Sequence, residues 1–277
     1  MVLKTPDGRV VFRYMTSKPE GTNLTANSVC CLYPVMTPSG KEAVEFAPSD
    51  HPHHRGIFLA WHAIEGPKPA DFWGWGEFAP TKDRVIENRE VRLAQADERR
   101  ATINVRNDWT AEGEALVEET TSITVRQRRG AYVIDLDFGL LPKADLTLRQ
   151  TAFGGLCVKS WKDGEAAYTS PDGEVTLPPP HHLKPETDWP SKAWYDYTVR
   201  REAGHTLGVA VMDHPGNPKT MWHNLKPIAM VNPCIVAPGA VRLRAGSVLR
   251  LRYRLVVHDG PPPVELLARL SKEWREE

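Results

Sequence analysis

Apolar and polar residues alternate with a period of two along most of this chain, the pattern of pleated strands whose successive side chains point to opposite faces. Leu249, Leu251, Tyr253, Leu255 and Val257 stand against Arg250, Arg252 and Arg254. Ala101, Ile103, Val105 and Trp109 oppose Thr102, Asn104, Arg106 and Asp108, and Tyr132, Ile134, Leu136 and Phe138 oppose Val133, Asp135 and Asp137. Further strands are expected at 9–14, 29–35, 57–64, 85–93, 116–126, 146–151, 197–201 and 206–211, mostly separated by turn residues such as Arg129-Gly130 and Ala245-Gly246. The convincing helical pattern is terminal: prolines 261–263 lead into VELLARLSKEW, which predicts a helix at about 262–276 covering a sheet edge or face. Many strands without interposed helices predict an all-β class, a large antiparallel β-sandwich with a short C-terminal helix. A single domain over 1–277 is expected, because all-β folds of this size commonly form one. The arginines of 250–254 are expected on a solvated sheet face.

Composition narrows the partners. With 35 basic and 35 acidic residues the formal charge is zero, so the chain lacks the excess of Lys and Arg that neutralises phosphates, and nucleic acid is not expected as a ligand. No apolar stretch approaches the roughly 18 residues that cross a bilayer, and the N-terminus has no uninterrupted hydrophobic signal core; this predicts a cytoplasmic protein without membrane contact. Cys30, Cys31, Cys157 and Cys234 show no CxxC spacing and read as free buried thiols.

One segment departs from the period. Residues 169–193 carry five prolines between positions 178 and 190, together with His181, His182 and Trp189; a loop this long inside a compact fold is usually functional or disordered, and the aromatics and paired histidines favour an ordered active-site flap over a linker. The ten histidines are unevenly placed. His51, His53, His54 and His62 fall in one stretch, His181 and His182 in another, and His214 and His223 in a third. Imidazoles gathered from separate loops suit acid/base chemistry or metal binding, because histidine titrates near neutrality and its neutral ring ligates metals.

The densest cluster, Asp50-His51-Pro52-His53-His54-Arg55-Gly56, precedes an apolar strand and the aromatic run Asp71-Phe72-Trp73-Gly74-Trp75. Met212-Asp213-His214-Pro215-Gly216-Asn217 repeats the Asp-His-Pro triplet and leads to Trp222-His223. The candidate catalytic residues are therefore His54, Arg55, His62, His214 and His223. In this scheme His54 or His214 moves a proton, Arg55 polarises an oxygen, and Trp73 stacks on a sugar ring. Candidate substrate-binding residues are His53, Trp61, Asp71, Trp73, His181, Asp213, Asn217 and Trp222. GxxxxGK[ST], GxGxxG after a strand, GxSxG and HExxH are all absent.

Taken in order, DHPHHRG, DFW, the FGGL of Phe153–Leu156, the segment from Met212 to His223, and Asn232-Pro233-Cys234 resemble a bacterial family catalogued as PmoA-like, "methane oxygenase PmoA", from about Ser28 to Gly260. Methane monooxygenase subunits are membrane proteins, so the resemblance does not make an oxygenase the leading expectation. It implies a β-sandwich in a sugar-catabolic setting, similar to the galactose mutarotase-like supersandwich. The expected function is a carbohydrate-active enzyme, an epimerase, lyase or hydrolase using histidine acid/base chemistry on a sugar or modified (oxidised) sugar. The alternatives are a His-ligated metal-dependent enzyme, oxygenases included, and a non-catalytic carbohydrate-binding module. The expected partner is a small-molecule carbohydrate, with homo-oligomerisation open. No cofactor is required by the leading reading, and a divalent metal belongs to the alternative.

Overall fold

A computed structural model describes residues 1–75 and 83–277. Among them the larger sheet has nine antiparallel strands, in the order Gly173–Glu174, Gly164–Ser170, Trp194–Arg201, Thr206–Asp213, Leu249–Asp259, Ala131–Pro142, Glu114–Arg128, Arg100–Ala111 and Arg84–Ala96. The smaller sheet runs Val2–Lys4, Val10–Met15, Cys31–Val35, Ile57–Ala60, Gly155–Lys159 and Met230–Val231. A three-stranded and a two-stranded sheet complete the β structure of the described residues, and no helix among them is long and apolar enough to cross a membrane.

Register explains the alternation. Tyr132, Ile134, Leu136 and Phe138 pair with Val257, Leu255, Tyr253 and Leu251, and all eight side chains join Phe12, Tyr14, Leu32 and Leu156 of the smaller sheet in one core. On the outer face the same register sets Asp137 opposite Arg252 and Asp135 opposite Arg254. Glu119 is a polar exception on the inner face: it is buried and accepts hydrogen bonds from Trp109 Nε1 (2.7 Å), Asn107 Nδ2 (3.0 Å) and Thr121 Oγ1 (2.6 Å). Those donors offset its desolvation only in part, so its carboxyl is still pushed above the ordinary range by burial.

The structure departs from the sequence expectations in four places. The stretch expected as one strand at 57–64 breaks into Ile57–Ala60 and Ile64–Glu65, with a bend at His62 between them. Gly155–Lys159 is an unexpected strand. All five of its residues are buried, so it shows no polar face and no alternation. Thr169 and Ser170 complete the strand Gly164–Ser170 and form a hairpin with Gly173–Glu174, leaving 175–193 as the irregular segment. Arg254 is not solvated as expected. The helix Val264–Glu276 lies on that face, with Trp274, Leu267 and Leu270 packing on Val133, Ala210, Met212 and Val256. Its Trp274 ring sits 4.2 Å from the Arg254 guanidinium, which donates to Asp135 Oδ1 at 2.6 Å and to Glu277 Oε1 at 3.1 Å.

Because Trp274 is the main anchor of this helix, Trp274→Ala is expected to cost about 3 kcal/mol of folding stability. Urea unfolding followed by circular dichroism measures it, and a loss below about 1 kcal/mol would show that the helix does not depend on this contact.

Candidate functional site

Arg55 builds the first wall. Its side chain is fully buried and, among the described residues, meets no carboxylate at hydrogen-bonding distance; it donates instead to the carbonyls of His53 (3.1 Å), Trp73 (3.1 Å) and Phe72 (3.0 Å). It also lies 4.1 Å over the Phe58 ring. The guanidinium therefore ties the histidine loop to the DFWGW turn. Asp71 holds that turn by accepting the Gly74 N–H at 2.7 Å. Gly74 has φ +98°, and a Cβ there would come within 2.9 Å of the Ala26 Cβ, so glycine is required where the chain doubles back.

These contacts place His51, His53, His54, Trp73 and Trp75 around a cavity of about 170 Å³. His54 meets Trp73 edge to face with ring centroids 5.8 Å apart, and His53 at 4.5 Å. Phe153, from the FGGL segment, lies between Trp73 (5.4 Å) and His223 (5.7 Å). His62 stacks on Phe153 at 4.4 Å, next to the cavity lining. His182 closes one side against Trp75 at 5.9 Å.

The opposite wall brings the proline-rich segment to the strand Met221–Trp222. Trp189 N donates to Trp222 O (2.8 Å) and Trp222 N to Trp189 O (3.0 Å), so the residues flanking this bridge are held together. One consequence is a 2.6 Å contact between His223 Nδ1 and Asp188 Oδ1, with both side chains buried. A carboxylate can only accept, so Nδ1 carries the proton and Nε2 presents its lone pair. His223 lines the cavity, and its Nε2 finds no hydrogen-bond partner among the described residues.

Burial sets the protonation of the other groups. Desolvation pulls His53 down to about 3 and His62 down to about 4, and it pulls His54 well below the ordinary value. These rings are neutral at pH 7, so they serve as hydrogen-bonding groups and not as cations. Burial pushes Asp71 up to about 7 against the backbone N–H groups of Gly74 and Trp73, which favour its ionised form. Asp188 is likewise raised by burial, with His223 opposing.

Several sequence candidates lie elsewhere. His214, Asp213 and Asn217 do not line the cavity. Asn217 joins Asp213 Oδ1 (2.7 Å) to the Arg252 backbone (2.8 Å), and His214 Nδ1 sits 2.9 Å from Arg252 Nη2 with its ring against Trp274. This second Asp-His-Pro is thus a turn that fastens neighbouring strands. Arg55, expected to polarise an oxygen, is not among the residues lining the cavity; its Nη1 and Nη2 face three carbonyls instead. Trp61 and Trp222 are core side chains packed on Trp109 and Tyr195. His181 is exposed, and its neighbour His182 lines the cavity instead. Asp188 was missed, and its sequence signal is faint: one of two carboxylates, with Glu186, just before Trp189 in an irregular segment. No three His, Cys, Asp or Glu side chains among the described residues form a metal-holding group.

The family model that matches is described as "Family of unknown function (DUF6807)", over residues 2–272. This corrects the PmoA-like expectation, which nothing in the comparisons supports. It rested on short motifs, and the structure shows that Met212–Asn217 is a strand-fastening turn of a kind unrelated chains can share. No curated protein matches the chain. Among solved structures it is similar to a galactose mutarotase related enzyme from Lactobacillus acidophilus, at 8% identity and TM-score 0.43 over 86% of this chain and 93% of that one. It is also similar to the GH36 alpha-galactosidase AgaA from Geobacillus stearothermophilus, at 9% identity and TM-score 0.42 over 77% of this chain. The match spans 34% of that enzyme's length. A polysaccharide lyase matches at 13% identity and TM-score 0.35, over 90% of this chain and 33% of its own.

The buried neutral histidines make stability depend on pH. His53 binds protons near 6.5 in the unfolded chain and only near 3 when folded, so acid favours unfolding and the stability is lost as pH falls below 6.5. Between pH 7 and 5 the wild type is expected to lose about 2 kcal/mol more than His53→Gln. Asp71, raised in the fold, works in the opposite direction and is common to both proteins. Equal pH profiles in chemical denaturation would mean that His53 titrates normally when folded.

Proposed function

The chain belongs to the DUF6807 family, and on that premise we propose that it is an enzyme acting on a sugar or modified sugar by histidine acid/base chemistry. The observation that carries the reading is the 2.6 Å His223–Asp188 pair, with an Nε2 that has no partner among the described residues beside a cavity walled by indoles and neutral imidazoles. In this reading His223 Nε2 takes a proton from a carbon next to a carbonyl, or from the hydroxyl of an anomeric centre. Asp188 steadies the imidazolium that forms, and the ring returns the proton to the product.

The oxygen on which charge develops needs donors. Trp73 Nε1 is buried with no partner among the described residues, and so is His54 Nδ1; the indole N–H is always a donor, and the neutral His54 ring offers one N–H without adding a cation. Trp75 and Phe153 supply apolar faces against the C–H surfaces of a sugar ring. His214, Asp213 and Asn217 have no part, and neither does the polarising role expected of Arg55, which instead positions the two loops. The ligand proposed is an uncharged or modified monosaccharide-sized carbohydrate.

The test is incubation with a panel of sugars followed by proton NMR. His223→Asn is expected to lower turnover by a factor of 10² to 10⁴, and Asp188→Asn by at least about 10²-fold through the wrong imidazole tautomer, both with nearly unchanged folding. Trp75→Ala, at the exposed edge of the cavity, is expected to raise KM more than it lowers kcat. Turnover unaffected by either dyad substitution would remove His223 from the mechanism. Sugar binding without product over long incubation would favour the binding-module alternative.

A further inference from the structure

The wall that carries the dyad has a second side. Along Trp222–Lys226 alternate residues face opposite ways: His223 and Leu225 line the cavity, whereas Asn224 and Lys226 line a separate groove of about 310 Å³. Tyr168, Val175, Leu177 and Trp189 supply its apolar sides. The polar ends of both aromatics are already engaged, Tyr168 Oη donating to Met230 O at 2.6 Å and Trp189 Nε1 to Pro178 O at 2.8 Å. Asn224 is different. Its side chain is fully buried, and its Oδ1 accepts the Asn232 N–H at 3.1 Å, a contact that identifies which end of the amide is oxygen. Its Nδ2 then remains without a partner among the described residues, a cost that folded proteins seldom leave uncompensated.

From this combination we infer that the groove is a second ligand site, taking a small uncharged molecule with an aryl or acyl body and one carbonyl oxygen that accepts from Asn224 Nδ2. A sugar fits this groove poorly, because its several hydroxyls would meet a single buried donor between apolar walls. The site adjoins the dyad directly. Trp189 follows Asp188, Asn224 follows His223, and the Trp189–Trp222 backbone bonds join the two segments. An occupant therefore bears on the elements that hold His223 and Asp188 in contact. The inference does not depend on the proposed activity, since it uses the other side of the wall.

Acetanilide, an uncharged aryl amide with one carbonyl, is the probe. It is titrated into the full chain while the Trp189 indole ¹H–¹⁵N resonance, assigned with Trp189→Phe, is followed. A saturable shift is expected. It should weaken at least tenfold in Leu177→Arg, where the residue replaced is 45% exposed and the fold has little stake in it. Asn224→Asp, which keeps the acceptor for Asn232 N–H but loses the donor, should weaken it similarly, and Trp75→Ala should leave it unchanged. No shift up to the solubility limit, or a shift indifferent to Leu177→Arg, overturns the inference. Loss of the shift in Trp75→Ala places the probe in the cavity and also overturns it, as does saturation of the same resonance by methyl glucoside but not by acetanilide. None of these outcomes bears on sugar turnover, so the two proposals fail separately.

Discussion

Desolvation is the force on which both the architecture and the site depend. A strand in the middle of the larger sheet must send alternate side chains to opposite faces, and only one face can be wetted. The register of Ala131–Pro142 with Leu249–Asp259 resolves this by giving Leu251, Tyr253 and Leu255 to the core and the Asp–Arg pairs to the outside. The C-terminal helix then covers part of that outside, and Arg254 becomes buried because Asp135, Glu277 and the Trp274 ring surround its charge. A buried guanidinium is tolerable when its donors are met; Arg55 meets that condition in part, with carbonyls accepting from Nη1 and Nη2 while Nε has no partner among the described residues.

That choice of partners matters for the cavity. Carbonyl oxygens accept from Arg55 Nη1 and Nη2 while fixing the positions of His53, Phe72 and Trp73, so one buried cation shapes the loop ends from outside the cavity lining. Burial in the same region keeps His53, His54 and His62 neutral and lifts Asp71 toward neutrality. A cavity so arranged offers many hydrogen-bonding nitrogens and little net positive charge from these rings. The His223–Asp188 pair stands apart from them, because there a buried carboxylate oxygen lies 2.6 Å from the ring Nδ1 and fixes its orientation.

Legibility followed the range of the interaction. Strands such as Leu249–Asp259 and the helix Val264–Glu276 were readable because a pleat or a helical turn writes its period into consecutive residues. Gly155–Lys159 was not, since a strand buried throughout loses its polar beats. At the site, the histidine-rich loop and the DFWGW turn were legible as clusters, and His223 as part of a third. His214 looked equivalent to His54, yet one Asp-His-Pro borders a cavity and the other is bound to Arg252 and Trp274. Asp188 carried almost no local signal, because its significance comes entirely from a residue 35 positions away.

The order of residues by itself determined the all-β class, the terminal helix and the supply of imidazoles and indoles, since these follow from spacing along a few neighbouring positions. Which imidazole meets a carboxylate, which tryptophan joins the core and which arginine loses its water were decided only by tertiary structure. Each of those outcomes depends on strand register and loop closure between distant segments, and on the dielectric environment that such closure creates.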